Sequence, residues 1–258
     1  MDIKKILQRL GLLHTTTSSK TQSQNVETTK TNMATNAINF YSHRDGPNPW
    51  KNIILFEELG IPYNATYLTF GDASGGVEHE DFLKINPAGR VPWIKDPTTG
   101  IELTESNLIS EYLVDHYDKK GIFSVEGEQN QLLVKQWLGF QAASQGPFFA
   151  QGLIAQHILK NEGSTKHFQA LVKRTITTVD RALKGKEYLV GDKITLADLA
   201  YIPWDLALDT ILLGDEESAT AEDRKKLWPN WFAWHNRVLQ RPAVQKMLAI
   251  QRKAQGKE

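Results

Sequence analysis

The chain has 258 residues, no cysteine, 40% hydrophobic and 23% charged residues, and a formal charge of zero from 30 Lys+Arg against 30 Asp+Glu. That length buries a substantial core in one large domain or two smaller ones, and the absence of Cys excludes disulfides, thiolate-bound zinc, a Cys nucleophile and a CxxC redox pair. Balanced charge gives no footprint for nucleic acid and no reason to expect an anionic membrane, no apolar run approaches the ~20 residues of a membrane span, and HExxH, GxGxxG, GxSxG and Walker A patterns do not occur.

Residues 1–37 stand apart from the rest. Ile3, Ile6, Leu7, Leu10 and Leu13 fall at helical spacing with Lys4, Lys5 and Arg9 between them. The stretch Thr15–Asn36 is rich in Thr, Ser, Gln and Asn. It carries too little apolar surface to offset its ordering entropy, which predicts disorder. A basic amphipathic start followed by an acid-poor Ser/Thr tract also fits a mitochondrial transit peptide. A plain tail leaves the chain cytoplasmic, and Met33 offers an alternative start.

From Ile38 the pattern is that of a folded domain. Ile38–Ser42 predicts a strand, and Arg44–Pro49 a loop dense in Asp, Gly and Pro. Asn48–Leu59 predicts a helix ended by Gly60 as its C′ residue. Tyr63–Phe70 reads as a strand, His79–Ile85 as a short helix, and Val91–Ile94 and Ile101–Thr104 as a strand pair. Glu105–Tyr117 is helical by its apolar spacing. The order β-α-β-α-β-β-α joins two parallel strands through a helix and closes with an antiparallel edge, a thioredoxin-type α/β arrangement. Beyond Glu126 the strand signal stops. Gln129–Lys160 reads as a long helix bent at Gly146-Pro147, followed by Lys166–Leu183, Thr195–Leu213, Pro229–Leu239 and Ala243–Ala254. The expected organisation is a tail (1–37), a thioredoxin-like domain (38–120) and an all-α C-terminal domain (126–254).

Four short segments offer chemistry, each with a plain structural alternative. Val91-Pro92 follows the loop Asn86–Arg90. A cis bond there would turn the backbone groups of Val91 outward to pair with a peptide laid alongside, whereas a strand-initial Pro needs no ligand. Thr104-Glu105-Ser106 begins a helix. The helix end and Ser106 would hold a carboxylate and Glu105 an ammonium, or Thr104 is a simple N-cap. Thr195-Leu196-Ala197-Asp198, with Ile194 and Leu199 as a hydrophobic staple, is a capping box assigned to folding. Asn48 opens the first helix, where a thiol would be held as thiolate, or it is merely an N-cap.

The order of these segments is more specific than any one of them. A strand, then Ser42-His43-Arg44-Asp45-Gly46-Pro47-Asn48-Pro49-Trp50-Lys51, Leu59–Tyr63 (LGIPY), Ile85–Pro92 (INPAGRVP), Glu105-Ser106, Gly191–Ala200 (GDKITLADLA) and Arg241–Val244 (RPAV) resembles the cytosolic glutathione transferases from Ile38 to Met247. Within them the chain is most similar to the fungal branch of the yeast nitrogen regulator and prion protein and to the bacterial nu class. The resemblance implies glutathione as co-substrate and thiol source, with no metal. Val91, before cis Pro92, would pair with the cysteinyl unit, Glu105 and Ser106 would hold the γ-glutamyl end, and Arg90 and His79 would sit near the glycyl carboxylate. Asn48 would lie near the sulfur as the catalytic residue, ahead of Tyr41 and Ser42. Gly46 stands where nu-class proteins often carry Thr, so one hydroxyl is missing. An acceptor pocket for a small-molecule electrophile is expected between the halves, near Gln141, Gln145, Phe149 and Trp204.

Three functions stay open at this point. One is a detoxifying transferase, with disulfide reductase or peroxidase side activity. The second is a glutathione-binding regulator, although residues 15–36 lack the dense Asn/Gln run of a prion-like segment. The third is a dedicated fungal biosynthetic transferase. By the same resemblance a homodimer is expected through the Glu105–Tyr117 and Gln129–Lys160 helices.

Overall fold

The computed structural model describes residues 36–257. The readings for residues 1–35, including the amphipathic start and the transit peptide, lie outside the described residues. The chain forms two compact units, one ending at Ile109 and regaining the chain from Met247 onward, the other spanning Ser110–Lys246. The cut falls earlier than the boundary at 120 read from the sequence, and the last helix returns to the first unit.

The first unit is built on a four-stranded mixed sheet. Strand β1 (Ile38–His43) leads into helix α1 (Pro47–Leu59), then β2 (Tyr63–Leu68), a one-turn helix α2 (Glu80–Leu83), β3 (Trp93–Lys95) and β4 (Glu102–Thr104). The strand order is β2-β1-β3-β4. The β1–β2 pair is parallel, and β3 runs antiparallel to both β1 and β4. This is the thioredoxin-like topology that the element order predicts. Helix α1 is terminated by Gly60 at φ 65°, whose N–H donates to the Phe56 carbonyl. Its start differs from the reading: Gly46 is the N-cap, Pro47 takes the first helical position, and Asn48 lies inside the first turn. Helix α1 is buried from Pro49 to Phe56 without interruption. Phe56 packs edge-on against Phe40 of β1 and stacks on Tyr63 of β2. On another part of the sheet Leu68, Val77, Phe82 and Trp93 form an apolar cluster joined by Tyr41, Phe70 and Val91.

The second unit is helical. After α3 (Ser106–Tyr117), which opens in the first unit, come α4 (Glu128–Phe140), α5 (Gly146–Leu153), α6 (Glu162–Ala182), the single turns α7 (Leu196–Leu199), α8 (Ile202–Asp205) and α9 (Leu208–Ile211), then α10 (Ala221–Leu227), α11 (Pro229–Leu239) and α12 (Pro242–Ala254). The expected 32-residue helix is interrupted where Pro147 cannot donate and where its ring excludes the preceding carbonyl. The ladder widens into a π-helical stretch, Gln141–Gln145, in which Gly146 N–H donates to the Gln141 carbonyl. A second such stretch, Ile154–Leu159, ends at Lys160 with φ 49°. The predicted Thr195–Leu213 helix is instead three short turns, with Pro203 opening the second. The reading missed α10, although Thr220 and Asp223 form its capping box.

The Thr195–Asp198 box is present and closed upon the core. Asp198 accepts from Thr195 N–H at 2.8 Å, Thr195 Oγ1 at 3.0 Å, Leu189 N–H at 2.9 Å and Trp234 Nε1 at 2.8 Å. Ile194 and Leu199 are both buried beside it. No helix of the described residues is long and apolar enough to cross a membrane.

Candidate functional site

The sheet register gathers the candidate residues at one end. Tyr41 faces Trp93, so the carboxyl end of β1 lies beside the start of β3, where Val91 and Pro92 enter. Trp93 also faces Thr104, so the exit of β4 and the start of α3, Glu105 and Ser106, reach the same end. His43 faces Leu68, which adds the chain leaving β2 toward His79. Asn48 follows β1 by a three-residue loop, 44–46, and the first helical residue, Pro47. Every one of these residues belongs to the first unit.

The Val91–Pro92 bond is cis. The side chain of Val91 packs on the apolar cluster of the sheet, while its N–H and C=O take no hydrogen bond among the described residues. The flanks are pinned: Asn86 Nδ2 donates to the Arg90 carbonyl at 2.7 Å and to Thr104 Oγ1 at 3.3 Å, and Thr104 Oγ1 donates to the Pro92 carbonyl at 3.0 Å. Thr104 is therefore a brace between β4 and the proline, not the helix cap that its sequence suggested. Arg90 is exposed.

Glu105 takes the cap place instead, its carbonyl accepting from Ile109 N–H at 2.9 Å. Its φ is 71°, the left-handed region that a residue with a Cβ adopts only under constraint. The side chain is exposed, whereas Ser106 is buried at 7%. Behind Ser106 stand two polar residues of α1, Lys51, which the family motif includes without assigning it a role, and Asn52, which no motif singles out. Asn52 Nδ2 donates to the Ser106 carbonyl at 2.8 Å. Lys51 Nζ donates to Ser106 Oγ at 3.2 Å and to Asn107 Oδ1 at 3.3 Å. Burial brings the Lys51 ammonium down to about 7, with the Glu105 carboxylate pulling the other way. The signal for both was a Lys-Asn pair inside an otherwise apolar run, Trp50 to Phe56.

The loop before Asn48 is held from two sides. His43 Nδ1 accepts from Asp45 N–H at 2.9 Å and from Gly46 N–H at 3.1 Å, and its ring lies 3.7 Å from that of Phe70. Both bonds need an unprotonated Nδ1. Burial, reinforced by the Arg44 guanidinium, holds His43 down to about 4. From the far end of the chain, Gln255 Nε2 donates to the Arg44 carbonyl at 3.1 Å and to Asp45 Oδ1 at 3.0 Å. Of the lower-ranked alternatives, Ser42 is fully buried and Tyr41 packs against Phe82 and Trp93. His79 caps α2, with Nδ1 accepting from Asp81 N–H at 3.3 Å. Among the described residues no three His, Asp or Glu side chains cluster as metal ligands.

The residues expected around an acceptor pocket are buried in the second unit. Gln141, Gln145 and Phe149 are at most 1% exposed. Gln141 Nε2 donates to Gln145 Oε1 at 3.0 Å, and Gln145 Nε2 donates to the Tyr201 carbonyl at 3.1 Å and to Asp205 Oδ1 at 2.7 Å. These amides lie in the core of the second unit, where buried polar groups need partners and find them in each other, in the Tyr201 carbonyl and in Asp205. Trp204 is buried as well.

Comparison with known proteins decides the family. Residues 36–115 match the glutathione S-transferase N-terminal domain, and residues 149–251 match the glutathione S-transferase C-terminal domain. The chain belongs to the glutathione S-transferase family. Among its relatives is the glutathione S-transferase-like protein OpS6 of Beauveria bassiana, 37% identical over 221 residues that make up 82% of this chain and 94% of that one. The transferase URE2P6 of Phanerochaete chrysosporium, solved with oxidised glutathione, superposes with a TM-score of 0.77 at 33% identity over 85% of this chain and 98% of its own. Ure2p in complex with glutathione superposes with a TM-score of 0.74 at 28% identity, over 84% of this chain and all of its own. Within its family the chain therefore stands near the Ure-type members.

Proposed function

We propose that this transferase-family member binds glutathione at the sheet end described above and activates its thiol for attack on an electrophilic small molecule. The observation that carries the reading is the meeting, at one sheet end, of a Val91 backbone unpaired among the described residues with a helix tip whose exposed left-handed Glu105 precedes a buried Ser106. The Val91 N–H and C=O would pair with the cysteinyl unit as a short added strand. Ser106 and the first turn of α3 would hold the α-carboxylate of the γ-glutamyl end, and Glu105 its ammonium. Arg90 and His79 would sit near the glycyl carboxylate.

The chain has no thiol of its own, so the nucleophile would be the tripeptide's. Placed near Asn48 at the start of α1, that sulfur would meet the positive helix end and the side-chain amide, both of which favour thiolate. Catalysis would then consist mainly of positioning and charge stabilisation. Disulfides and hydroperoxides would be reached by the same thiolate. The protein would work in the cytoplasm as a homodimer.

A second reading, a glutathione-binding regulator without turnover, is supported by the likeness to Ure2p and by Gly46, which offers the sulfur no hydroxyl. One experiment separates the two. Saturable glutathione binding together with turnover of an aromatic halide, a glutathione disulfide or a hydroperoxide supports the enzyme. Saturable binding with no turnover of any of these supports the regulator. Rates confined to one natural electrophile would instead favour a dedicated biosynthetic transferase.

A further inference from the structure

Lys51 has no part in the scheme above, yet it is a lysine only 3% exposed, three residues beyond Asn48 on α1. Burying an ammonium is costly unless an opposite charge or good acceptors compensate, and an apolar residue would fill the same volume without that cost. Its partners are informative. An ammonium has donors and no acceptor, so in the 3.2 Å contact the Ser106 oxygen must accept. That directs the one hydrogen of the serine hydroxyl to some other acceptor. Asn107 Oδ1 accepts from the same ammonium, which orients the second residue of the turn. Asn52 fixes the Ser106 carbonyl, so the backbone beneath the hydroxyl is held as well.

We propose that Lys51 is a positioning and selectivity residue of this site: from behind the first turn of α3 it makes the Ser106 hydroxyl a donor toward the ligand and supplies the positive charge that favours a ligand bearing an α-carboxylate over one lacking it. The inference rests on Ser106 being the γ-glutamyl contact. The Glu105 carboxylate acts on Lys51, and the neutral Ser106 and Asn107 accept from its ammonium. With an ammonium that titrates at about 7, a bound carboxylate would hold the proton on and binding would take one up. His43, at about 4, is silent between pH 6 and 8.

The test uses S-hexylglutathione, which has no free thiol to titrate, and the same compound without its α-carboxylate. Calorimetry should show proton uptake and an affinity for S-hexylglutathione that falls several-fold from about pH 6 to 8 in the wild type. Lys51→Met should weaken S-hexylglutathione at least about tenfold at the lower pH, flatten its pH profile, and leave the decarboxylated compound within about twofold. Lys51→Arg should restore part of the loss. Equal losses for the two compounds would make Lys51 a structural brace and overturn the proposal, as would a flat wild-type profile, which requires no variant. If Ser106→Ala weakens binding while Lys51→Met does not, the Lys51 role alone is overturned. If neither weakens it, the assignment of Ser106 falls with it.

Discussion

Two helix starts in this molecule use the same local vocabulary to opposite ends. At α7, Thr195 precedes a turn whose Asp198 is fully buried and accepts four hydrogen bonds from the protein's own donors. At α3, Thr104 is drawn away to the Pro92 carbonyl, and the acid at the cap place, Glu105, is exposed in a left-handed conformation. The first start is complete in itself and strengthens a core. The second is braced from behind by Lys51 and Asn52 while its acid faces outward. A closed start reads as folding and an open one fits the recognition role proposed for it, and the difference lies in long-range partners rather than in the cap residues themselves.

The comparison can be broken first at the closed end. Asp198→Ala strands the Leu189 and Thr195 amides and the Trp234 indole, and should cost about 3–5 kcal/mol in urea unfolding. The glutathione affinity of the protein that remains folded should not change. A loss below ~1 kcal/mol would contradict the structural role given to that box.

Next in size is a pH effect in the loop beside the open end. His43 has a folded pKa of about 4 against an ordinary 6.5. The unfolded chain therefore binds the proton first as pH falls, so this stabilisation is complete above pH 6.5 and is lost as pH falls from there toward 4. The expected loss is at most about 3 kcal/mol. Urea midpoints over that range should fall in the wild type and fall less steeply in His43→Asn, whose side-chain oxygen still accepts; equal slopes would remove His43 as the cause.

The smallest effect is at Gly46. Its φ is −73° and a Cβ there would meet nothing closer than His43 Cβ at 3.7 Å, so a side chain fits. Gly46→Thr should change stability by no more than about 0.5 kcal/mol. If a hydroxyl at this place reaches the sulfur, turnover should rise by about tenfold or less; a fall in turnover with unchanged glutathione affinity would argue against that geometry.

Much of the first unit was legible because its signals are local. Gly60 had to adopt positive φ, Tyr63–Leu68 carries β-branched and aromatic residues, and the element order admitted one familiar topology. Asn48, Val91, Glu105 and Ser106 were singled out by their order along the chain, and the register of the sheet brings them to one end. Lys51 entered only as part of the family motif and Asn52 not at all, because polar residues on a helix are expected to face water; the buried start of α3 explains why these two do not. Gln141 and Gln145 were assigned to an acceptor pocket by resemblance alone; in the structure both are buried, Gln141 at the start of the π-helical stretch and Gln145 at its end, bonded to each other. No local pattern announces such a widening beyond the proline itself. Helix α10 was missed although its Thr220–Asp223 box is as regular as that of α7, since no apolar run follows it.

Calorimetric titration of glutathione into the wild type and Ser106→Ala tests the assignment of the open helix start most directly. The wild type should bind saturably, and the variant should bind more weakly by roughly 1–3 kcal/mol, the usual cost of losing a hydrogen bond to a charged group. A dissociation constant unchanged by the substitution, or no heat with the wild type at millimolar tripeptide, would contradict it.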